Sequence, residues 1–229
     1  MSPASGLIPR APRCALLYLV FGLALATPIL AADSGATPAD EGWKAASTTA
    51  DLTIFNRSRK GSSLKEFKAI GVIEAEPIVV RRVLEDTPEF PRFMPYVTEA
   101  RVISRQGDTR ISYQRISVPL VGDRDYTMRA QWEAKRLADG RFSYRSHWQP
   151  AKELGPVETP GVTRVKVNEG QWLLEPAGLR QTRATYRIFC DPGGSLPAMV
   201  LNSANKTAIP KLFEAIRKQV RLEKYSRVE

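Results

Sequence analysis

A chain of 229 residues, with 43% hydrophobic and 25% charged residues, is long enough for one soluble domain with a sizeable core. Its formal net charge of +10 favours an anionic partner, either a nucleic acid or a phospholipid surface. The basic residues are scattered and form no dense block, a pattern more typical of a solvated surface. We therefore expect no nucleic acid among its partners.

The first 32 residues have the pattern of a secretory signal. Arg10 and Arg13 precede an apolar run at 15–26, and small residues follow as far as Ala32. The run is shorter than the roughly 20 residues that cross a bilayer. An uncleaved anchor stays open, because neither Ala26 nor Ala32 is an ideal cleavage position. We expect an exported chain, either periplasmic or anchored in the inner membrane and facing the periplasm. Loss of this segment would remove two arginines and leave a net charge of +8.

Cys190 is the single cysteine that follows this segment, so no disulfide can form within the remaining chain, even in an oxidising compartment. It ends an alternating apolar stretch, which favours a small buried side chain over a nucleophile. The core alone is expected to hold the fold together.

Residues 33–42 are small and polar and are predicted to be a flexible leader, with the domain following at 43–225. Pro77 suits the first turn of a helix whose apolar residues recur at helical spacing. Segment 90–95, rich in proline and aromatic residues, is predicted to be irregular or one short turn. The predicted elements up to this point are helix 43–50, strand 51–58, strand 64–74 and helix 78–86.

Hydrophobicity alternates with a period of two from Tyr96 onwards, as in an antiparallel sheet with one apolar face. Glycine-containing turns separate the successive stretches. The apolar faces carry large aromatic side chains, and the space behind them is either a filled core or a cavity, which periodicity does not distinguish. The predicted strands are 97–104, 110–118, 124–135, 141–148, 164–174 and 179–190.

Residues 191–219 begin with a proline–glycine turn and continue as one amphipathic segment. The spacing of its apolar stripe is that of a helix lying on another layer. Pro210 lies inside it and predicts a kink or a short break, where a lid over a cavity could move. The expected fold class is α+β, with an antiparallel sheet gripped by this helix. The stripe consists of Leu201, Ala204, Ala208, Leu212, Ile216 and Val220.

The sequence offers few candidates for catalysis. His147 is the only histidine and lies beside Arg145 on the polar face of its strand, and no serine or cysteine has the context of a nucleophile elbow. One histidine and one cysteine make no typical zinc site, and no phosphate-binding glycine loop occurs. We expect no metal, no cofactor and no enzyme. An enzyme of the cyclase or hydratase kind that uses a shaped cavity stays open, as does an interaction module with a filled core.

Several motifs occur together in a recognisable order and spacing. They are Gly61–Lys68 with Gly71–Ile73, Pro77–Asp86 with Phe93–Pro95, Arg124–Tyr126 with Arg129, Gly170–Pro176 with Tyr186, and Asp191–Gly194 with Pro197 and Asn202. In this arrangement the chain resembles the START (StAR-related lipid transfer) domain of the helix-grip superfamily, over about residues 40–225.

This resemblance implies a hydrophobic tunnel between a curved antiparallel sheet and the C-terminal helix. It also implies that a stand-alone bacterial member binds a lipid, sterol or similar hydrophobic small molecule and can transfer it. An anionic membrane surface is the expected transient partner, and the chain is expected to be a monomer. The expected cavity-lining residues are Tyr113, Arg115, Met128, Trp132, Tyr144, Trp148, Tyr186 and Met199.

Two arginines in this region have different expected roles. Arg115 shares a strand face with Tyr113 and is the expected charge inside the cavity, where it would need a carboxylate or a ligand oxygen as partner. Arg124 and Asp125 are more simply interpreted as a structural pair at the start of a strand. A contact of this pair with a ligand head group stays open.

Overall fold

The computed structural model of the protein describes residues 42–119 and 122–227. The predicted secretory segment and nearly all of the predicted flexible leader lie outside the described residues. Within these two ranges, no helix is long and apolar enough to cross a bilayer.

Ten strands and four helices occur in the described ranges, with single turns of 3-10 helix at 87–89 and 152–154. The strands are β1 (Lys44–Thr48), β2 (Leu52–Ser58), β3 (Lys65–Ile73), β4 (Val97–Gln106), β5 (Thr109–Val118), β6 (Gly122–Arg136), β7 (Phe142–Pro150), β8 (Thr163–Arg164), β9 (Val167–Pro176) and β10 (Thr182–Asp191). The helices are α1 (Pro77–Glu85), α2 (Phe90–Phe93), α3 (Ala198–Gln219) and α4 (Glu223–Ser226).

All the strands belong to one sheet, in the order β1-β2-β3-β10-β9-β7-β6-β5-β4, with β8 paired to β6. Every pairing along this path is antiparallel, whereas the two-residue strand β8 runs parallel to β6. The last strand, β10, lies between β3 and β9 and so joins the early strands to the later ones. The predicted fold class is confirmed: an α+β chain in which a curved antiparallel sheet lies against a C-terminal helix.

Side-chain alternation along β6 defines the two faces of the sheet. Tyr126, Met128 and Trp132 lie on the inner face, toward α3, and the odd-numbered residues between them lie on the outer face. Residues that lie directly opposite each other on paired strands share a face of the sheet. Ala130 lies opposite both Arg110 of β5 and Trp148 of β7, so these two residues are also on the inner face. A shift of one residue in any pairing would therefore exchange the two faces.

The C-terminal half of α3 packs closely on the inner face. Phe213 and Ile216 are fully buried, and the centroids of the Phe213 and Trp172 rings are 5.6 Å apart. Gly71 of β3 lies directly beneath Phe213, and a Cβ atom at this position would be 2.8 Å from the phenylalanine ring. The glycine therefore permits the close approach of α3 to the sheet.

The predicted helix at 43–50 is wrong, because this segment contains the edge strand β1. It pairs with β2 through an irregularity between Ala45 and Ser47. A helix of eight residues is marginal on its own in water. The edge of β2, in contrast, presents a row of backbone N–H and C=O groups to which β1 can form hydrogen bonds.

Two other predictions differ from the structure in whether a strand or helix is continuous. The predicted strand at 164–174 is divided, because the N–H of Val165 donates to the carbonyl of Asp125 on β6 and the next N–H, of Lys166, donates to Asp191 on β10. The chain thus changes neighbours between β8 and β9. Helix α3, in contrast, is continuous through Pro210, so the predicted short break does not occur.

Candidate functional site

A cavity of about 850 Å³ lies between the N-terminal half of α3 and the inner face of the sheet. Side chains of β5, β6, β7, β9 and β10 form its walls, and residues of α1, α2 and segment 94–97 border it on one side. The lining is mainly apolar. The volume lies in the upper part of the range of about 300–1,000 Å³ that is usual for small-molecule sites.

The predicted stripe of α3 has two kinds of contact. Leu201, Ala204, Ala208 and Leu212 line the cavity, whereas Ile216 lies in the filled core. Alanine at two successive positions of the stripe leaves the space between helix and sheet open, since a methyl group reaches only a short way from the backbone. The size of the stripe residues therefore decides where the cavity lies.

Aromatic rings form the wall opposite the helix. The rings of Trp148 and Tyr186 stack with their centroids 5.8 Å apart, and Trp172 lies 4.5 Å from Tyr186. Trp148 donates from Nε1 to Oδ1 of Asn168 at 3.0 Å. Gly170 lies against the Trp148 ring, and a Cβ atom there would come within 2.5 Å of it. This hydrogen bond and this glycine hold the indole flat against the sheet.

Two polar groups on the cavity wall are neutral at physiological pH. The hydroxyl of Tyr126 donates to Oε1 of Gln114 at 3.0 Å, and burial raises the pKa of Tyr126 far above its ordinary value. Burial likewise raises the pKa of the Cys190 thiol to about 12. A thiol with such a pKa is protonated and a poor nucleophile, which agrees with the interpretation of Cys190 as an inert side chain.

One cation, Arg110, lies at the end of the cavity beneath α1. Its guanidinium donates to the backbone carbonyl of Glu85 and, at 3.3 Å, to that of Leu84, and so binds the C-terminus of α1. Burial lowers the pKa of Arg110 to about 10, although the nearby Glu85 carboxylate opposes this effect. The side chain is therefore charged at neutral pH.

A second cation, Arg124, lines the cavity near the other end of β5. It is opposite Ile116, six residues along that strand from Arg110, which corresponds to about 20 Å. Its Nη1 donates to the carbonyl of Gly122 at 3.2 Å, and a Cβ atom on Gly194 would lie 3.5 Å from Nη2. Burial lowers the pKa of Arg124.

The eight residues expected to line the cavity divide into two groups. Met128, Trp132, Trp148, Tyr186 and Met199 do line it. Tyr113, Arg115 and Tyr144 do not, so their expected placement needs correction.

Tyr113 and Arg115 point to the outer face of β5. The hydroxyl of Tyr113 donates to Oδ2 of Asp125 at 3.2 Å, and Arg115 forms an ion pair with Asp123. Their apolar or amphipathic character suggested the inner face, but Tyr113 is only 4% exposed on the outer face, where the guanidinium of Arg101 lies 4.4 Å from the centre of its ring. Hydrophobic alternation fails where both faces of a strand are covered.

Tyr144 lies on the inner face but beyond the cavity. It is in the part of β7 that α1 covers, and the guanidinium of Arg81 lies 5.3 Å from the centre of its ring. The face was predicted correctly and the position along the strand was not, because the sequence does not show how far α1 extends over the sheet.

The expected pair between Arg124 and Asp125 is also wrong. Neighbouring strand residues point to opposite faces, so Arg124 enters the cavity while Asp125 lies on the outer face. There Arg164 donates to both carboxylate oxygens of Asp125, at 2.7 and 3.1 Å, and this ion pair holds the covering segment 151–165 against the sheet. Gly155 of the same segment approaches Thr127 so closely that a Cβ atom would overlap its hydroxyl.

The described residues that line the cavity include no histidine, aspartate or glutamate. His147 is exposed on the outer face of β7. Among the described residues, no group of three or more histidine, cysteine, aspartate or glutamate side chains is placed to hold a metal ion.

Sequence reasoning missed several cavity residues, among them Arg110, Gln114 and Tyr126. The pairing of β5 with β6 places Gln114 opposite Tyr126 and Ser112 opposite Met128. Aligning β5 with the inner residues of β6 would therefore have selected the even-numbered positions of β5. The length of the connecting turn, which fixes this register, was the missing information.

The family model for the START domain matches residues 33–225 of the chain. Human phosphatidylcholine transfer protein is 26% identical over 178 residues, which cover 75% of this chain and 80% of that protein. An uncharacterised protein of Pseudomonas aeruginosa is 26% identical over 167 residues, covering 71% of this chain and 79% of that protein.

Solved structures agree with this assignment. The STAR-related lipid transfer protein of Xanthomonas axonopodis superposes with a TM-score of 0.71 at 25% identity, covering 80% of this chain and 100% of that chain. Human StAR-related lipid transfer protein 5 superposes with a TM-score of 0.70 at 19% identity, covering 82% and 89% of the two chains, and so shows a common fold. The chain belongs to the START domain family.

Proposed function

We propose that this protein binds one lipid-like molecule in the cavity between α3 and the sheet and carries it through water. The cavity itself is the observation that supports the proposal: about 850 Å³, mainly apolar, and bordered by a helix rich in alanine. The names of the relatives as lipid transfer proteins, including the phosphatidylcholine transfer proteins, add to this support.

Burial of a hydrocarbon tail supplies enough free energy without any specific contact. Each buried methylene contributes about 0.8 kcal/mol, so ten of them contribute about 8 kcal/mol before the costs of association. A tail of sixteen methylenes would contribute about 13 kcal/mol, which after an association cost of about 5 kcal/mol leaves about 8 kcal/mol, or a dissociation constant near 1 μM. The aromatic wall formed by Trp148, Trp172 and Tyr186 would contact such a tail along its length.

The surface near the start of α3 suits exchange with a membrane. Met199 and Val200 line the cavity and are also exposed, Met199 by 83% of its surface, so the cavity reaches the surface here. The net charge, +10 with the secretory segment and +8 without it, favours approach to anionic lipids. Together with the secretory pattern of the first 32 residues, this supports a carrier that acts in the periplasm.

The chemistry of the cavity supports binding rather than turnover. The hydroxyl of Tyr126 and the thiol of Cys190 are protonated at neutral pH, and burial raises both pKa values and so disfavours their ionisation further. The single histidine, His147, lies on the opposite face of the sheet. A nucleophile with an adjacent base is thus not assembled among the described residues that line the cavity.

Native mass spectrometry of the full chain tests the proposal. The protein is incubated with vesicles of phosphatidylcholine and phosphatidylglycerol and then separated from them. We expect one lipid bound per chain, with release when acceptor vesicles are added. A chain that stays free of lipid, and also takes up no sterol or fatty acid under the same conditions, would contradict the proposed function.

A further inference from the structure

At the end of the cavity beneath α1, two buried hydrogen-bond donors have no acceptor among the described residues. They are Nε of Arg110 and Nε1 of Trp132. Both side chains line the cavity, and the two residues are only 7% and 4% exposed. A buried donor without a partner is costly and is uncommon in folded proteins. Two of them at one end of a cavity indicate an acceptor that the described residues do not supply.

The two donors belong to the same part of the sheet. Arg110 of β5 lies opposite Ala130 of β6, and Trp132 is two residues further along β6 on the same face. Such diagonal neighbours are about 7–8 Å apart, which is within reach of two long side chains. Ser146 of β7 lies opposite Trp132 and also lines the cavity. We call the group of Arg110, Trp132 and Ser146 the Arg110 subsite.

The charge of Arg110 also lacks a carboxylate partner in the described ranges. Its two hydrogen bonds go to backbone carbonyls. Two carboxylates act on its charge through space, those of Glu85 and Asp86. Glu85 forms its ion pairs with Arg81 at 3.1 Å and with Arg105 at 3.0 Å, and Asp86 pairs with Lys224. The subsite therefore presents a positive charge to the cavity.

We propose that the Arg110 subsite binds the carboxylate of a ligand whose remainder is a hydrocarbon chain, as in a fatty acid. This inference rests on the proposed function and names the polar group of the ligand. A carboxylate offers two oxygens to the two free donors and one negative charge to the guanidinium. It also ends the molecule, whereas the phosphate of a phospholipid continues into a head group, for which the buried end beneath α1 is unsuitable.

The test compares ligands that differ only in this group. Nile red, a neutral dye, is bound to the full chain and displaced by dodecanoate, methyl dodecanoate or dodecan-1-ol at about pH 8, where the acid is ionised. We expect dodecanoate to bind at least about tenfold more tightly than the ester or the alcohol, since hydrogen bonds to charged groups are the strong ones. Equal displacement by all three would overturn the proposal but leave the proposed function intact. If neither the dye nor any of the three binds, the proposed function fails as well.

Substitutions test at which end of the cavity the carboxylate of the ligand binds. Arg110→Met should abolish the preference for the acid, and Trp132→Phe, which keeps a ring but removes the N–H group, should weaken it about threefold or more. Trp132→Phe also serves where Arg110→Met, which leaves two carbonyls of α1 without a donor, fails to fold. Arg129→Met removes an exposed arginine on the outer face of β6 and should leave the preference unchanged. A preference that survives Trp132→Phe and is lost instead in Arg124→Met would place the carboxylate at the other end of the cavity and refute the assignment.

Discussion

The C-terminal half of α3 covers a filled core, whereas its N-terminal half covers a cavity. In the C-terminal half, Phe213 and Ile216 are fully buried, and Phe213 contacts a glycine of β3. In the N-terminal half, Ala204 and Ala208 face aromatic rings across open space. The same helix and the same sheet thus produce two different interiors, and the difference lies in side-chain volume.

This comparison separates stability from function. Close packing with few voids is normal in protein interiors, and losses there are costly. A cavity contributes little to stability, because its lining atoms lack partners on one side. We therefore expect substitutions in the filled half to change the free energy of unfolding and substitutions in the hollow half to change ligand binding.

The largest effect on stability is expected for Phe213→Ala. Removal of this ring leaves a cavity between α3, Trp172 and β3, and should lower the free energy of unfolding by about 3–5 kcal/mol. Urea denaturation of the two proteins without ligand measures the difference. The matched change in the hollow half, Leu201→Ala, should cost less than about 1 kcal/mol, because that side chain is only partly buried. Similar losses in both variants would remove the distinction between the two halves.

A smaller loss is expected for Gly71→Ala. The added methyl group would lie 2.8 Å from the Phe213 ring and 3.0 Å from Leu52, so α3 or the ring must shift. Overpacking of this kind costs about 1–3 kcal/mol, which thermal denaturation would detect as a lower Tm. Gly178→Ala, where the nearest atom is the flexible end of Gln181, is the control and should change Tm little. If Gly71→Ala were as stable as the control, the contact between α3 and β3 would be looser than described.

The smallest effect concerns the reactivity of Cys190, which lines the hollow half. Its thiol pKa is raised to about 12 by burial, so the reactive thiolate fraction increases about tenfold for each pH unit between pH 7 and 10. In a Cys14→Ser background, the rate of alkylation by N-ethylmaleimide should increase about tenfold per pH unit. At any one pH the rate should be lower when a fatty acid is bound in the cavity. A rate that levels off near pH 9 would show an ordinary thiol.

Much of the fold was accessible from the sequence, since it depends on local patterns. Alternation placed Met128 and Trp132 on one face of β6, and helical spacing placed Leu201 and Ala208 on the face of α3 that lines the cavity. These predictions were confirmed because each depends on one element and one period.

The candidate site was only partly predictable, since it depends on relations between elements. Tyr113 is as buried as an inner residue but lies on the outer face, where Arg101 covers its ring and Asp125 accepts its hydrogen bond. Arg110 is one of the scattered basic residues whose pattern is typical of a solvated surface, although the carbonyls at the end of α1 bring it inside. The register between β5 and β6 and the position of α1 over the sheet are tertiary properties that no single stretch of sequence contains.

The most direct test of the central claim is to fill the hollow half. Ala208→Phe places a ring in the cavity, and Lys206→Phe places the same ring on an exposed part of α3 that does not line it. Lipid occupancy after incubation with vesicles is measured by native mass spectrometry, alongside the free energy of unfolding. We predict that Ala208→Phe reduces occupancy at least about tenfold while the free energy of unfolding changes by less than about 1 kcal/mol, and that Lys206→Phe binds like the unsubstituted chain. Undiminished occupancy in a folded Ala208→Phe protein would show that the ligand does not bind between α3 and the sheet.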